Sequence, residues 1–171
     1  MKDNIILIGF MGSGKTSVGI RLSYQLKHTM IDTDKWIEQK QKMTVSEIFD
    51  RYGEEAFRKM ETDCLKELIH TTQEQIISVG GGLPIREENH GLLKELGKVV
   101  YLKVTPQTVY ERLKADTTRP LLQVEDPMAR IKSLLADRAP IYEKCADMIV
   151  DVSDKSFDEI IEQIVSESTL D

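Results

Sequence analysis

Long apolar runs are absent from this sequence, and no run approaches the roughly 20 residues that a membrane-spanning helix needs. The apolar stretch near the beginning covers only about five residues and leads into a glycine-rich loop, unlike a secretory leader. An excess of positive charge is also missing, since 23 Lys and Arg residues face 29 Asp and Glu residues, a net charge of −6. Nucleic-acid binding needs a basic surface. We therefore expect partners other than nucleic acids and membranes.

Cysteine is scarce as well, with two residues that lie far apart, Cys64 and Cys145. Neither belongs to a Cys-x-x-Cys pair or has a histidine at metal-ligand spacing. Both fall in helix-like sequence, so we expect buried, reduced thiols rather than a disulfide or a metal site. Reduced thiols are typical of a cytoplasmic protein.

The chain does contain a regular alternation of short apolar runs and helix-like segments, and its 171 residues suit one domain. The predicted strands are Ile5–Gly9, Met30–Asp32, Ile76–Val79, Val99–Lys103 and Met148–Val152. Their apolar residues are continuous rather than alternating, as in strands that are buried on both faces. This pattern predicts an α/β fold in which helices cover both faces of a parallel sheet.

Helix beginnings carry clear signals. Capping boxes are predicted at Thr44 to Glu47 and at Ser156 to Glu159. Thr105-Pro106 and Asp126-Pro127 each place a capping residue before a proline at the first helical position. Residues 115–125 have little apolar pattern, and a loop of about this length is often a functional element.

The sequence Gly-Phe-Met-Gly-Ser-Gly-Lys-Thr at residues 9–16 matches the G-x-x-x-x-G-K-[ST] pattern of a phosphate-binding loop. It follows an apolar run at residues 4–8 and precedes a helix-like segment at residues 17–26, which is the context that this loop needs. The glycines let backbone N–H groups point at anionic oxygens, and the helix N-terminus adds partial positive charge. Lys15 would reach the β- and γ-phosphates, and the Thr16 hydroxyl would bind Mg²⁺. The alternative, an accidental glycine turn before a lysine, is disfavoured by this context.

Two acidic residues, Asp32 and Asp34, close the second apolar run. Ligands of open parallel sheets bind beyond the carboxyl ends of the strands, where the glycine loop also lies. A kinase needs one acidic group to orient or deprotonate the attacking hydroxyl and another to hold Mg²⁺ or its waters. The alternative is that these carboxylates simply cap the following helix.

Three consecutive glycines at residues 80–82 end the third apolar run. They permit close approach of the backbone to a ligand, and the alternative is a flexible turn. Four arginines, Arg58, Arg112, Arg119 and Arg138, have the chemistry to bind a carboxylate or a transferring phosphoryl group. Taken singly, each is more typical of a solvated surface residue, and residue chemistry alone does not choose among them.

Six motifs of this sequence resemble those of the shikimate kinase family, in the same order and at the same spacing. They are the loop at residues 9–16, Asp32-Thr33-Asp34, Phe57-Arg58-Lys59-Met60-Glu61, Gly80-Gly81-Gly82, Arg119-Pro120-Leu121-Leu122 and Arg138-Ala139-Pro140-Ile141-Tyr142. The resemblance extends from Asn4 to about Ile164. It implies a P-loop fold of the nucleoside-monophosphate-kinase type, a three-layer sandwich with a five-stranded parallel sheet of order 2-3-1-4-5. It also implies a monomer with a single domain at residues 1–171, a substrate-binding region at about residues 33–61 and a lid at about residues 113–126.

The reaction implied by the resemblance is ATP-dependent phosphorylation of the 3-hydroxyl of shikimate, in the pathway to chorismate and the aromatic amino acids. Asp34 would accept hydrogen bonds from the ring hydroxyls and orient the attacking one or take its proton. Arg58 and Arg138 would clamp the substrate carboxylate, and Glu61 would support Arg58 and the substrate. The remaining shikimate contacts would be the backbone N–H groups of Gly80, Gly81 and Gly82, with Phe49 and Phe57 as pocket walls.

The resemblance assigns the ATP site to Gly12, Ser13, Gly14, Lys15, Thr16, Ser17, Arg112, Arg119 and Lys155. Lys15 and Arg119 would neutralise charge on the phosphates, and Arg112 would stack near adenine. Mg²⁺ would be bound directly by Thr16 and through a water by Asp32. Two features depart from many relatives: the segment after the last strand is Ser153-Asp154-Lys155-Ser156, and the lid apex at residues 123–126 is acidic.

Two other functions stay open at this point. A kinase for another small acceptor, such as gluconate or a nucleotide, would share the phosphate loop but would not need the motifs around Asp34 and Arg58. A catalytically silent relative would bind ATP or a partner without transferring phosphate, and it would be expected to lack some of these residues.

Overall fold

Five apolar segments form parallel strands in the computed structural model, which describes residues 3–114 and 124–168. The strands are β1 (Asn4–Ile8), β2 (Met30–Asp32), β3 (Ile76–Ser78), β4 (Gly97–Lys103) and β5 (Met148–Asp151). Each overlaps its predicted apolar run, and the largest difference is that β4 begins two residues earlier, at Gly97.

The strands lie in the order β2-β3-β1-β4-β5, which confirms the predicted sheet. Ile6 of β1 is paired with Ile77 of β3 on one side and with Val99 of β4 on the other. Because consecutive strands β1 and β2 are separated by β3, the connections leave a crevice beyond the carboxyl ends of β1 and β3. Open parallel sheets bind their ligands in such a crevice.

Eight α-helices and one 3₁₀ helix connect the strands within the described residues. The α-helices are α1 (Lys15–Leu26), α2 (Thr33–Gln41), α3 (Val45–Tyr52), α4 (Glu54–Thr71), α5 (Glu88–Leu96), α6 (Pro106–Leu113), α7 (Pro127–Cys145) and α8 (Phe157–Ser168), and the 3₁₀ helix is Leu83–Ile85. Helices cover both faces of the sheet, where α1 packs against α8 and α5 contacts α4 and α7. The result is the predicted three-layer sandwich.

Capping side chains mark the beginnings of several helices. Thr44 and Glu47 form a reciprocal capping box at α3, and Ser156 and Glu159 exchange the same pair of bonds at α8. Thr105 and Asp126 cap α6 and α7 just before their first-turn prolines. These capping predictions are confirmed.

The core lies on both sides of the central strands. β1 and β3 are buried at every position, as predicted for strands covered on two faces. The edge strands differ: β2 is half-buried throughout, and β5 alternates between buried and exposed residues, with Ile149 45% exposed. The expectation of continuous burial was wrong for these two strands because an edge strand has a neighbour on one side only.

Both cysteines are free and buried, as predicted. Burial raises the pKa of the Cys64 thiol to about 12 and that of Cys145 to about 11, so neither is reactive near neutral pH. No helix of the described residues is long and apolar enough to cross a bilayer. Most of the predicted lid, including Arg119, lies outside the described residues.

Candidate active site

The phosphate-binding loop joins β1 to α1 and is shaped by two glycines. Gly12 and Gly14 have φ values of +81° and +92°, a left-handed conformation that residues with a side chain rarely adopt. The Ser13 N–H donates to the Phe10 carbonyl at 3.1 Å and closes the loop. Gly14 precedes the first turn of α1 and makes no side-chain cap, so the helix presents N–H groups and its positive end to the loop.

Two basic side chains lie on this loop. The Lys15 ammonium donates to the carbonyl of Gly9 at 2.7 Å, with the Phe10 carbonyl at 3.4 Å. Arg112 of α6 donates to the Gly12 carbonyl at 2.8 Å. Both cations are therefore held beside the loop in which phosphate oxygens would lie.

A single cavity of about 610 Å³ joins the phosphate loop to the ends of β2 and β3. At one end it is lined by Met11, Gly12, Gly14, Lys15, Thr16, Ser17, Arg112, Leu113 and Phe157. At the other end it is lined by Asp32, Asp34, Arg58, Ser78, Val79, Gly80, Gly81, Gly82 and Arg138. Residues from five separate predicted motifs thus share one cavity, which divides into a phosphate half and an acceptor half.

The acidic pair stands where β2 passes into α2. Asp32 caps α2 by accepting the Lys35 N–H at 3.2 Å through Oδ1, so the capping alternative holds for one of its two oxygens. Asp34 lies in the first turn of α2. Burial and, after it, the charge of Asp32 raise the pKa of Asp34, whereas the positive charges of Lys15 and Arg58 oppose the rise. A carboxylate with a raised pKa is a better hydrogen-bond acceptor and base.

Arg58 is anchored by acidic neighbours on its own helix, α4. Its Nη1 lies 2.6 Å from Glu61 Oε1, and its Nε lies 3.6 Å from Glu54 Oε1. The Glu61 side chain is only 1% exposed, and burial raises its pKa to about 7 despite the hydrogen bond from Arg58. Its second oxygen has no hydrogen-bond partner among the described residues.

The two arginines of the acceptor half flank the glycine triplet. A Cβ on Gly82 would lie 2.5 Å from both terminal nitrogens of Arg58, and a Cβ on Gly81 would lie 3.7 Å from Arg138 Nη1. The Arg138 guanidinium, from α7, also lies 5.6 Å from the centre of the Phe10 ring. Two guanidinium groups beside the backbone of the glycine triplet have the chemistry to bind a carboxylate.

Some predicted site residues are not among those that line the cavity. Phe49 and Phe57 stack on each other with ring centres 5.0 Å apart, and neither lines the cavity within the described chain. Ser13 is buried beneath the loop, and Lys155 donates to the Asp151 carbonyl at 2.9 Å. Glu61 reaches the site through Arg58.

Sequence reasoning missed Met11 and Phe157 as lining residues. The Phe157 ring lies 3.7 Å from the position of a Cβ on Gly14 and stacks under the Arg21 guanidinium at 4.6 Å. The signal that was available is its place just beyond the carboxyl end of β5, where ligands of this fold bind.

Metal-binding groups are sparse in the part of the chain that the structure describes, which holds no cluster of three or more His, Cys, Asp or Glu side chains fit for an ion. Thr16 and Asp32 nevertheless line the same cavity. A hydroxyl and a carboxylate suit Mg²⁺, which takes hard oxygen ligands and usually keeps several waters and substrate phosphates. The donor set therefore fits a magnesium ion that arrives with a nucleotide.

Comparison with known proteins identifies the family. A family model described as shikimate kinase matches residues 11–169. A shikimate kinase from Thermodesulfovibrio yellowstonii is 45% identical over 164 residues, which cover 96% of this chain and 94% of the relative. Among solved structures, shikimate kinase from Acinetobacter baumannii in complex with shikimate has a TM-score of 0.87 at 35% identity, covering 98% of this chain and 93% of that one.

Shikimate kinase from Aquifex aeolicus gives a TM-score of 0.82 at 36% identity, with 95% of this chain and 94% of that chain covered. Sequence and structure thus agree over nearly the whole length of the chain and of its relatives. On this evidence the chain belongs to the shikimate kinase family.

Proposed function

We propose that this protein transfers the γ-phosphoryl group of ATP to the 3-hydroxyl of shikimate, with the residue roles set out below. The observation that carries this proposal is the single cavity that joins a phosphate loop to an acceptor half with two arginines and the half-buried carboxylate of Asp34. A nucleotide and a small acid can meet in such a cavity, and phosphoryl transfer needs mainly positioning and charge neutralisation.

In the acceptor half, Arg58 and Arg138 would hold the shikimate carboxylate. Arginine binds carboxylates through paired hydrogen bonds, so two guanidinium groups fix both the position and the orientation of a small acid. Glu61 holds Arg58 at 2.6 Å and thereby orients it toward the cavity. The Gly81 and Gly82 N–H groups would complete the contact, because no acceptor among the described residues binds either of them, whereas the Gly80 N–H donates to Thr33 Oγ1 at 3.2 Å.

Asp34 is the residue proposed to orient the attacking hydroxyl or to take its proton. It lines the cavity between the arginines and the phosphate loop, and its raised pKa favours acceptance of a hydrogen bond or a proton from the 3-hydroxyl. Lys15 would leave the loop carbonyls to neutralise charge on the phosphoryl group. The roles of Asp34 and Lys15 are therefore complementary, because Asp34 would act at the attacking oxygen and Lys15 at the transferred phosphoryl group.

In the phosphate half, the loop at residues 12–17 would surround the phosphates of ATP, and Arg112 and Phe157 would border the nucleotide. Thr16 would bind Mg²⁺ directly, and Asp32 would bind it through a water. The ion would supply charge neutralisation at the β- and γ-phosphates. Arg119 of the proposed lid and Lys155 stay predictions, as does the wall formed by Phe49 and Phe57.

We also propose that the protein works as a cytoplasmic monomer with one domain, a substrate-binding region at about residues 33–61 and a lid at about residues 113–126. The net charge of −6 disfavours nucleic acid as a partner, and the free buried cysteines are compatible with a reducing compartment.

The test is ADP release from the purified protein with MgATP and shikimate, with gluconate and nucleoside monophosphates as alternative acceptors. We expect ADP with shikimate only. Turnover with another acceptor and not with shikimate would overturn the acceptor assignment while leaving the phosphate loop intact. ATP binding without turnover on any acceptor would identify a silent relative.

A further inference from the structure

The turn that follows β3, residues 80–84, has every carbonyl held by a hydrogen bond, and we name it the glycine turn. The Gly80 carbonyl accepts the Leu83 N–H at 3.1 Å, and the Gly82 carbonyl accepts the N–H of Ile85, the residue after the turn, at 3.2 Å. The other carbonyls of the turn are each held by a side chain from a neighbouring helix, as described next. No acceptor among the described residues binds the Gly81 and Gly82 N–H groups.

Tyr142 of α7 holds the first of these carbonyls. Its hydroxyl donates to the Gly81 carbonyl at 2.6 Å, and the side chain is fully buried and does not line the cavity. Because a trans peptide is planar, its C=O and the following N–H point in opposite directions. Holding the Gly81 carbonyl therefore also fixes the direction of the Gly82 N–H.

The same hydroxyl lies beside one of the two arginines proposed to hold the carboxylate. Arg138 lies one helical turn before Tyr142 on α7, and a Cβ on Gly81 would lie 3.7 Å from both Arg138 Nη1 and the Tyr142 hydroxyl oxygen. Burial raises the pKa of Tyr142, and the positive charge of Arg138 opposes that rise. One face of α7 thus brings Arg138 and the phenol that holds Gly81 to the same glycine.

Asn89 of α5 holds the turn from another direction. Its amide nitrogen donates to the Leu83 carbonyl at 2.9 Å, and its oxygen accepts the Thr62 hydroxyl at 2.8 Å. Thr62 lies one helical turn beyond Arg58 on α4, so Asn89 connects the helix of the other clamp arginine to the glycine turn. His90, the next residue of α5, bonds the Pro84 carbonyl at 2.6 Å through Nε2.

We propose that Tyr142 and Asn89 are positioning residues that fix the glycine turn relative to Arg138 and Arg58, so that backbone N–H groups and guanidinium groups converge on one carboxylate. Neither residue touches the substrate in this proposal; each acts through the groups that it holds. The inference rests on the proposed function, because the carboxylate is that of shikimate.

The test uses Tyr142→Phe and Asn89→Leu, each with a matched control. Tyr101→Phe removes a buried phenol hydroxyl from the ring that stacks on Tyr142 at 5.2 Å. Asn4→Leu removes a buried amide that makes comparable bonds, to the Leu96 carbonyl and from the Gln75 N–H, at the opposite end of the sheet. Initial rates of ADP release give KM for shikimate and for MgATP separately, and thermal unfolding gives Tm for each variant.

We expect both test variants to raise the KM for shikimate about tenfold, the effect of losing one or two hydrogen bonds, while the KM for MgATP changes less than about twofold. Asn4→Leu should lower Tm about as much as Asn89→Leu, and both controls should leave both KM values unchanged. Equal changes in the two KM values, an unchanged KM for shikimate, or controls that match the test variants would overturn the proposal. If one test variant fails to fold, the KM values of the other variant test the proposal. If the wild type does not phosphorylate shikimate, the proposed function is wrong.

Discussion

Replacing Gly82 by Ala tests the carboxylate clamp with a single methyl group. Gly82 has φ −88° and ψ −13°, a conformation that alanine adopts without strain. The added Cβ would lie 2.5 Å from both terminal nitrogens of Arg58, so the guanidinium must retreat by about 1 Å to a normal contact distance. Arg58 cannot retreat freely because Glu61 holds it at 2.6 Å. The substitution therefore moves the clamp arginine without removing it.

The size of the effect follows from the bonds at risk. A hydrogen bond to a charged group contributes about 1.5–3 kcal/mol, so loss of the Arg58 contact should raise the KM for shikimate by about 10- to 150-fold. Stability should change little, because Gly→Ala at a compatible position stabilises by about 0.4–1 kcal/mol through the unfolded chain. The KM for MgATP should stay near its wild-type value, since the phosphate loop lies at the other end of the cavity.

Gly91→Ala is the matched control, because a Cβ on Gly91 would meet nothing within 4 Å. Gly91 lies within α5, so the control should raise Tm slightly, because alanine stabilises a helix by roughly 0.5–1 kcal/mol relative to glycine. The assay is steady-state ADP release with shikimate and MgATP varied in turn. A wild-type KM for shikimate in Gly82→Ala would refute the assignment of Arg58 to the substrate carboxylate, and a large loss of stability in Gly82→Ala, with the expected gain in Gly91→Ala, would point to packing instead.

Three further predictions address the chemistry and the buried acid. Lys15→Ala should lower kcat by at least about 100-fold, as loss of a charge-stabilising donor does, with an unchanged circular dichroism spectrum; activity near wild type would remove Lys15 from phosphoryl transfer. Asp34→Asn should lower kcat by about 100-fold or more while the calorimetric affinity for MgATP stays the same, and an unchanged kcat would exclude Asp34 from the reaction. Because burial raises the pKa of Glu61 to about 7 from an ordinary value of 4.5, the folded protein keeps a proton there that the unfolded chain releases, and stability falls as pH rises through this window. Glu61→Gln should remove that fall and flatten the dependence of Tm on pH between about 4.5 and 7, and a parallel curve would show that Glu61 does not titrate there.

Predictions that depended on neighbouring residues in the chain were accurate. The strands were located to within two residues, because continuous apolar runs between helix-like segments are characteristic of buried parallel strands. The caps at Thr44 and Ser156 involve side chains that bond N–H groups three residues away. The expectation failed at β2 and β5, where burial depends on position in the sheet rather than on composition.

In the candidate site, too, the residue types were predicted from the sequence, whereas their contacts depend on the tertiary structure. Residue chemistry singled out Asp34, the glycine triplet and four arginines, and the family resemblance selected Arg58 and Arg138 as the clamp. Neither line of reasoning could state that Gly82 packs against the Arg58 guanidinium, or that the rings of Phe49 and Phe57 stack with their centres 5.0 Å apart. Both facts depend on how α3, α4 and the glycine turn are oriented.

The sequence by itself determined the phosphate loop, because every element it needs, from strand to glycines to helix, is contiguous. The tertiary structure decided how the acceptor half is assembled. The Tyr142 hydroxyl donates to the Gly81 carbonyl across 61 residues of sequence, and Thr33 accepts the Gly80 N–H across 47, whereas no described residue accepts the next two N–H groups. Such contacts are fixed only when the helices dock on the sheet, since the directions of their side chains depend on packing and not on local pattern.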